Sequence, residues 1–469
     1  MDVAVRLDRS RGLADQIYRQ LRDAVLDGRL RRDEVLPSSR ELSELLRVSR
    51  NTVTAAYERL IAEGYLTGRP GAGTFVSALP LAAPAVPQPP SGVLTPRGVW
   101  PAMPVPSGFG DAPEFDFRVG APDARMFPHA LWRRLLAGQF RPSALGTGMP
   151  IEPAGHFPLR TVIARHLRTA RTIETHPQDV LVTCGVQQAL DLIGRVLLEP
   201  GDTAAVEEPG YAPPRLVWES QGIRVTGVPV DEQGLIVDAL PAHARLVYVT
   251  PSHQYPTGVV LSPRRRMELL AWARRNDAAI VEDDYDSEFR YTEQQLEPLH
   301  SLDPGGRVLY VGSFSKVLLP TLRLGFLLHP PSLRHALHAA KFVTDWHTSL
   351  PIQAAMAEFV DQGMFARHLR RARRVYRKRH DRISAALSGP LSAHLEAVPS
   401  AAGLHLSAMA RKGNATDALA RARAAGVGVA SFPQIATAPA DSPGVVLGYG
   451  MIDLSRIDEG LSRLRSCLA

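Results

Sequence analysis

The sequence predicts a multidomain chain: an N-terminal α+β winged helix-turn-helix over residues 1–77, a proline-rich linker over 78–113, and an α/β domain over 114–469. Three observations lead there. Residues 1–77 hold three apolar patterns at helical spacing, then a glycine-turned hairpin. The next stretch carries Pro80, Pro84, Pro87, Pro89, Pro90, Pro96, Pro101, Pro104 and Pro106 with few apolar clusters, a composition that favours extended, semi-rigid chain. From about residue 114, short apolar runs at 180–183, 203–206, 246–249, 278–281 and 308–311 alternate with helical patterns. That alternation is the mark of βαβ units and a mostly parallel sheet.

At 469 residues the chain exceeds what one core serves, so two or three domains are expected. Its 45% apolar and 22% charged composition is that of an ordinary globular protein. No stretch approaches the roughly 20 consecutive apolar residues of a membrane-spanning helix. The first residues lack the basic and apolar regions of a secretory signal, so a cytoplasmic protein without a membrane partner is expected. Cys184 and Cys467 stand far apart and predict neither a disulfide framework nor a metal site.

Charge is a weak guide. The formal net charge is +7, yet residues 1–77 set 13 arginines against 11 acids. Residues 367–379 hold eight basic residues and no acid. They read as a solvated helix face with Leu369, Ala372 and Tyr376 turned inward, a phosphate contact being the lesser alternative.

In the N-terminal part, Leu13, Ile17, Leu21 and Val25 recur at helical spacing and predict a first helix ending near Gly28. Ser38 is placed to cap a second helix. After a break at Val48, Ser49 is placed to cap a third, with Val53, Tyr57, Leu60 and Ile61 as its buried stripe. A hairpin follows over 65–77. In such an arrangement the third helix enters the major groove of DNA by its N-terminal end. That end carries Arg50, Asn51 and Thr52, able to bond base edges or phosphates, with Arg40 against the backbone and Arg69 and Gly73 on the wing. A helical hairpin serving protein contacts is the alternative.

Pro37-Ser-Ser-Arg-Glu-Leu, Val48-Ser-Arg-Asn-Thr-Val, Glu63-Gly-Tyr-Leu and Gly71-Ala-Gly-Thr-Phe-Val resemble the DNA-binding domain of GntR-type bacterial repressors. Carried over by position, that family's DNA contacts fall on Arg40, Ser49, Arg50, Asn51, Thr52 and Gly73.

In the larger part, Lys316 is one of four lysines among fifty arginines. An amine retained where arginine is the default suggests chemistry that a guanidinium cannot perform, such as imine formation with an aldehyde. The segment Ser313-Phe-Ser-Lys-Val-Leu-Leu-Pro-Thr-Leu-Arg323, with the upstream acids and tyrosines, resembles the cofactor site of fold-type I pyridoxal 5'-phosphate (PLP) enzymes. Over roughly residues 115–469 the order of segments is similar to that of class I aminotransferases.

That resemblance implies a role for each motif. Lys316 supplies the amine. In the acidic run after the strand at 278–281, Asp283 faces the pyridine nitrogen, with Asp284 as the competing acid, and Tyr285 meets the phenolic oxygen. Gly185, Val186 and Gln187 open a helix whose backbone N–H groups favour the phosphate. Ser313, Ser315 and Arg323 add hydroxyls and a charged fork. Tyr211 stacks on the ring. His253 and Tyr255 lie on a further ligand-side turn, where His253 reads equally well as structural.

Together the two parts resemble MocR-type regulators of the GntR family. The resemblance implies a head-to-tail homodimer, a double-stranded operator with two half-sites, and a protein that is not an enzyme. Two departures support the last point. Tyr255 stands where aminotransferases usually carry Asn before Pro-Thr-Gly. No Arg or Lys occurs between Arg423 and Arg456, where such enzymes place the arginine that grips a substrate carboxylate. Gly428 and Val446 hold the nearest equivalent positions, leaving Arg215, His253 or a partner-subunit residue as substitutes. The expected function is PLP-dependent transcriptional regulation, with PLP as the signal and vitamin B6 supply as the regulated process. An amine or amino-acid effector that exchanges with Lys316 is the near alternative, and a working aminotransferase the distant one.

Overall fold

The computed structural model describes residues 5, 7–8, 12–69, 72–77, 94–105, 112–145, 152–292, 297–412, 416–438 and 442–468. Contacts divide the chain into two compact units, Met1–Arg97 and Gly98–Ala469. Most of the expected linker, 78–93 and 106–111, lies outside the described residues.

The smaller unit contains α1 (Leu13–Leu26), β1 (Val35–Leu36), α2 (Ser39–Leu46), α3 (Arg50–Ala62), β2 (Leu66–Arg69) and β3 (Gly73–Val76). Ile17, Tyr18, Leu21, Ala24 and Val25 form the buried stripe of α1. Ser38 caps α2 in a reciprocal box: its Oγ accepts from Glu41 N at 3.2 Å, and Glu41 Oε2 accepts from Ser38 N at 2.8 Å. Arg47, with φ +51, turns the chain toward Ser49, whose Oγ accepts from Thr52 N at 3.1 Å and caps α3.

Val53, Ala56, Tyr57 and Leu60 form the inner face of α3. Ile61, expected in that stripe, is 41% exposed. Ala56 takes the inward position because a 3.6-residue period carries the stripe 53–56–57–60 and leaves 61 at its edge. The sheet has the order β1-β3-β2, and its two-residue strand β1 is too short to carry a readable pattern.

The larger unit begins with β4 (Phe115–Asp116). Its main sheet comprises β5 (Val180–Thr183), β6 (Thr203–Glu208), β7 (Arg224–Asp231), β8 (Gly234–Leu235), β9 (Ala244–Val249), β10 (Ala279–Asp284), β11 (Val308–Ser313) and β12 (Gly325–Leu328). The order is β5-β12-β11-β10-β9-β6-β7-β8. The pairs from β11 through β10, β9 and β6 to β7 are parallel. β12 runs antiparallel to both its neighbours, so β5 points the same way as the parallel set. The carboxyl ends of β5, β6, β9, β10 and β11 therefore open on one edge, where open α/β sheets bind ligands.

A second sheet holds β13 (Leu395–Ala397), β14 (His405–Ala410), β17 (Gly444–Gly448) and β16 (Ala430–Ser431), in the order β13-β14-β17-β16. β15 (Val427–Gly428) pairs in parallel with β4.

One element boundary corrects the sequence reading. The acids 282–284 do not follow a strand; they are its last three residues, all buried. Each has a partner that lets a carboxyl sit in a sheet interior. Glu282 accepts the backbone N–H groups of Leu299 and His300 at 3.0 and 2.9 Å. Asp283 accepts from the Tyr248 hydroxyl at 2.6 Å. Asp284 pairs with Arg171 at 2.7 Å and accepts from the Tyr310 hydroxyl.

The basic run lies within the helix Met364–Ser388, where Ala372 and Tyr376 are buried and Leu369 packs partly against the core. Arg379, at its end, is itself buried and pairs with Asp123 at 2.7 Å. Among the described residues no helix is long and apolar enough to cross a membrane.

Candidate functional site

A cavity of about 490 Å3 opens at the carboxyl edge of the main sheet. Lys316, three residues beyond β11, reaches it from the turn before β12, and its Nζ donates to Gly120 O at 2.7 Å. Burial pulls this amine below the ordinary lysine range, and Asp286 and Asp283 partly offset that pull. A lysine in such surroundings has a larger neutral, nucleophilic fraction.

Asp283 lines the cavity and is 3% exposed. Its Oδ2 accepts from Tyr248, while Oδ1 has no hydrogen-bond partner. Burial pushes its carboxyl up to about 7, opposed by the bond from Tyr248. Asp284 alternates to the other face of β10, against Arg171 and Tyr310, and does not line the cavity. The strand's two-residue period thus separates the two candidate acids.

Tyr285 lines the cavity, and its hydroxyl lies 3.0 Å from His253 Nδ1. Burial holds the phenol well above its ordinary value. His253 itself is 2% exposed and is absent from the lining. It stacks under Tyr285 with ring centroids 5.9 Å apart, and its Nδ1 sits 3.2 Å from each oxygen of Asp286. It supports the wall from behind. Tyr255 lines the cavity and packs edge-on against Tyr211 at 5.7 Å and Tyr285 at 6.2 Å. Tyr211 lines it too, its phenol raised to about 12 by burial.

At the β5 side, Val186 and Gln187 line the cavity at the start of the helix Gly185–Leu197. Gly185 is outside the lining, but its φ of +74 and the Arg323 guanidinium, 3.4 Å from where a Cβ would stand, both favour glycine there. Arg323 donates to Cys184 O at 3.1 Å and lines the cavity with Ser313 and Ser315. The backbone N–H groups of a helix start, two hydroxyls and a guanidinium make an anion cradle.

Several lining residues escaped the sequence reading: Tyr248, Thr250, Asp286, Leu404, His405 and Ile435. Tyr248 lies within the recognised run 246–249, near the carboxyl end of β9, where its hydroxyl looks like that of any sheet tyrosine. His405 and Ile435 come from segments far along the chain, and no local pattern marks them. Neither Arg215, which donates to Val225 O at 3.0 Å, nor His253 supplies the missing cation to the cavity. Gly428 and Val446 are buried in β15 and β17.

On the smaller unit, Arg40, Ser49, Arg50, Asn51, Arg69 and Gly73 are exposed and Thr52 is half-buried. Arg50 Nε donates to Ser39 Oγ at 3.3 Å, which joins the starts of α2 and α3. Arg40 pairs with Glu44 at 3.2 Å, and Arg69 with Asp33 at 3.2 Å. Exposed pairs of this kind hold their side chains only weakly. Gly73 has φ +115, which favours glycine at the start of the wing's second strand.

Residues 13–76 match the model of bacterial regulatory proteins of the gntR family, and residues 150–437 match that of aminotransferase class I and II. The chain is 38% identical to the probable rhizopine catabolism regulatory protein MocR of Rhizobium meliloti, over 96% of this chain and 92% of that protein. It is 33% identical to the pyridoxine biosynthesis transcriptional regulator PdxR of Corynebacterium glutamicum, over 86% of this chain and 85% of that one. Among solved structures it is similar to the α-aminoadipate aminotransferase LysN of Thermus thermophilus, complexed with N-(5'-phosphopyridoxyl)-L-leucine. There the TM-score is 0.68 and the identity 30%, covering 75% of this chain and 91% of that one. With a gntR head, an aminotransferase-type body and near full-length similarity to such regulators, the chain belongs to the MocR-type branch of the GntR family of transcriptional regulators.

Proposed function

We propose that the protein is a PLP-dependent regulator of transcription, in which Lys316 holds the cofactor and cofactor occupancy alters operator binding. The observation that carries this reading is the unpartnered Oδ1 of buried Asp283, across a cavity whose β5 side is an anion cradle and whose turn after β11 offers an amine. Bound PLP supplies an aldehyde carbon open to amines and a ring that withdraws electrons when its nitrogen is protonated. Asp283 accepts the ring N–H, and Tyr248 holds the carboxylate toward it. Val186, Gln187, Ser313, Ser315 and Arg323 hold the phosphate beside Gly185. Tyr211 covers the ring, and Tyr285 presents its hydroxyl to the phenolic oxygen, steadied by His253. Tyr255 closes the side where the enzymes carry Asn.

On the smaller unit, Arg50, Asn51 and Thr52 read the major groove, Ser49 and Arg40 contact the backbone, and Arg69 and Gly73 carry the wing. A head-to-tail homodimer presents two such heads to two half-sites. Among the described lining residues the one guanidinium, Arg323, lies with the phosphate cradle and none is placed for a substrate carboxylate, which favours sensing over transamination. PLP itself is then the signal, with vitamin B6 synthesis or salvage as the regulated process. A second reading, an amine or amino-acid ligand, is favoured by the room bounded by Tyr255, Leu404, His405 and Ile435. Borohydride reduction of the yellow protein followed by peptide mapping should label Lys316; an unlabelled Lys316 overturns the proposal.

A further inference from the structure

The charged side chains around the cavity are unevenly placed. Among the described residues lining it, the cations are Lys316 and Arg323, and the acids are Asp283 and Asp286. Arg323 is committed to the β5 side by its bond to Cys184 O and its packing on Gly185. These contacts hold the Arg323 guanidinium at the phosphate cradle, while the turn carrying Tyr255 follows β9.

On the β9 side the lining is Thr250, Tyr255, Asp286, Leu404, His405 and Ile435. Asp286 is 2% exposed and supported from behind by His253. His405 packs on His253 with centroids 4.7 Å apart, and its Nε2 lies 3.1 Å from Pro256 O. Burial and the neighbouring His253 hold its imidazole well below the usual histidine range, so it contributes no positive charge. A carboxylate entering here would meet the Asp286 carboxylate and no guanidinium, at the cost of an unpaired buried charge. Hydroxyl or amino groups would instead find the Asp286 carboxyl, the His405 imidazole and the Tyr255 hydroxyl, whereas the Thr250 hydroxyl is committed to Glu207 at 2.6 Å.

We infer that this end of the cavity takes a second ligand, a primary amine bearing hydroxyl or amino groups in place of a carboxylate. The inference rests on the reading of Lys316 as the PLP-bearing residue and names the ligand class of the amine alternative. It concerns recognition by this chain's side chains and adds no reaction step.

The test uses the full-length protein loaded with PLP and freed of excess cofactor. It is titrated with 2-amino-1,3-propanediol and, in parallel, with L-serine, which differs by a carboxylate in place of a hydroxymethyl group. The readouts are the visible band of the bound cofactor and the midpoint of operator binding. The amino diol is expected to act at about tenfold lower concentration or better. Asp286→Asn should narrow that preference by restoring tolerance of the acid. Equal response, preference for serine, or response to neither in a coloured protein overturns the inference and leaves the PLP reading standing. A protein that gains no visible band with PLP overturns that reading itself.

Discussion

The two oxygens of the Asp283 carboxyl have different surroundings: Oδ2 is held by Tyr248 at 2.6 Å and Oδ1 is buried without a partner. Burial raises this group to about 7, with Asp284 adding to the rise and Tyr248 and Lys316 opposing it. Above that pH the anion can hold a protonated ring nitrogen; below it the neutral acid cannot. PLP affinity should therefore fall as the pH drops from about 8 to about 6. Asp283→Asn should bind PLP about tenfold more weakly or worse and lack that step, as read by visible titration of the dialysed protein. Tyr248→Phe removes a bond that lowers the Asp283 value, so the midpoint of the same profile should move to higher pH. An unmoved midpoint would assign Tyr248 a packing role only. At this scale the sequence was most legible where chemistry is scarce. Lys316 stood out among fifty arginines, whereas Tyr248 and His405 resembled ordinary sheet residues until the fold brought them to the cavity.

Capped helices and strand ends are the elements that position these side chains. Ser38 and Ser49 each accept a backbone N–H at a helix start, and both were readable because the cap is local chemistry. Ser38→Ala or Ser49→Ala should each cost about 1 kcal/mol locally. Amide hydrogen exchange in the intact protein should then quicken over residues 39–62 and remain unchanged across the main sheet. Spread of the effect to β9 and β10 would contradict the division into two units. β10 was the least legible element. Its last three residues are acids, whose composition reads as a solvated loop, yet tertiary partners from Tyr248, Arg171, Tyr310 and residues 299–300 hold them inside the sheet. Partners so distant in sequence leave no periodic trace. The inward edge of α3 was misassigned by one position, at Ile61, for a different reason: the helical period alone does not say where a stripe ends.

For the whole molecule, the two family matches fall on the two compact units, 13–76 on the first and 150–437 on the second. A ligand in one unit changes DNA binding by the other only through its different affinity for two arrangements of the protein, and that coupling is reciprocal. On the proposed function PLP shifts operator affinity, and operator DNA should then shift PLP affinity by the same factor. The broad division into a DNA-reading head and a cofactor-type body was legible because each part carries several motifs in a fixed order. A coupling of the proposed kind would leave no sequence signature, since it is a difference between states and not a pattern of residues.

Operator binding titrated with and without PLP, for the native protein and for Lys316→Ala, tests that coupling directly. PLP is expected to change the native protein's operator affinity by roughly fivefold or more, in the range of measured couplings. No such change is expected in the variant, whose binding in the absence of PLP should match that of the native protein. A native protein indifferent to PLP, or a Lys316→Ala protein that responds as fully as the native one, would contradict a PLP-driven switch.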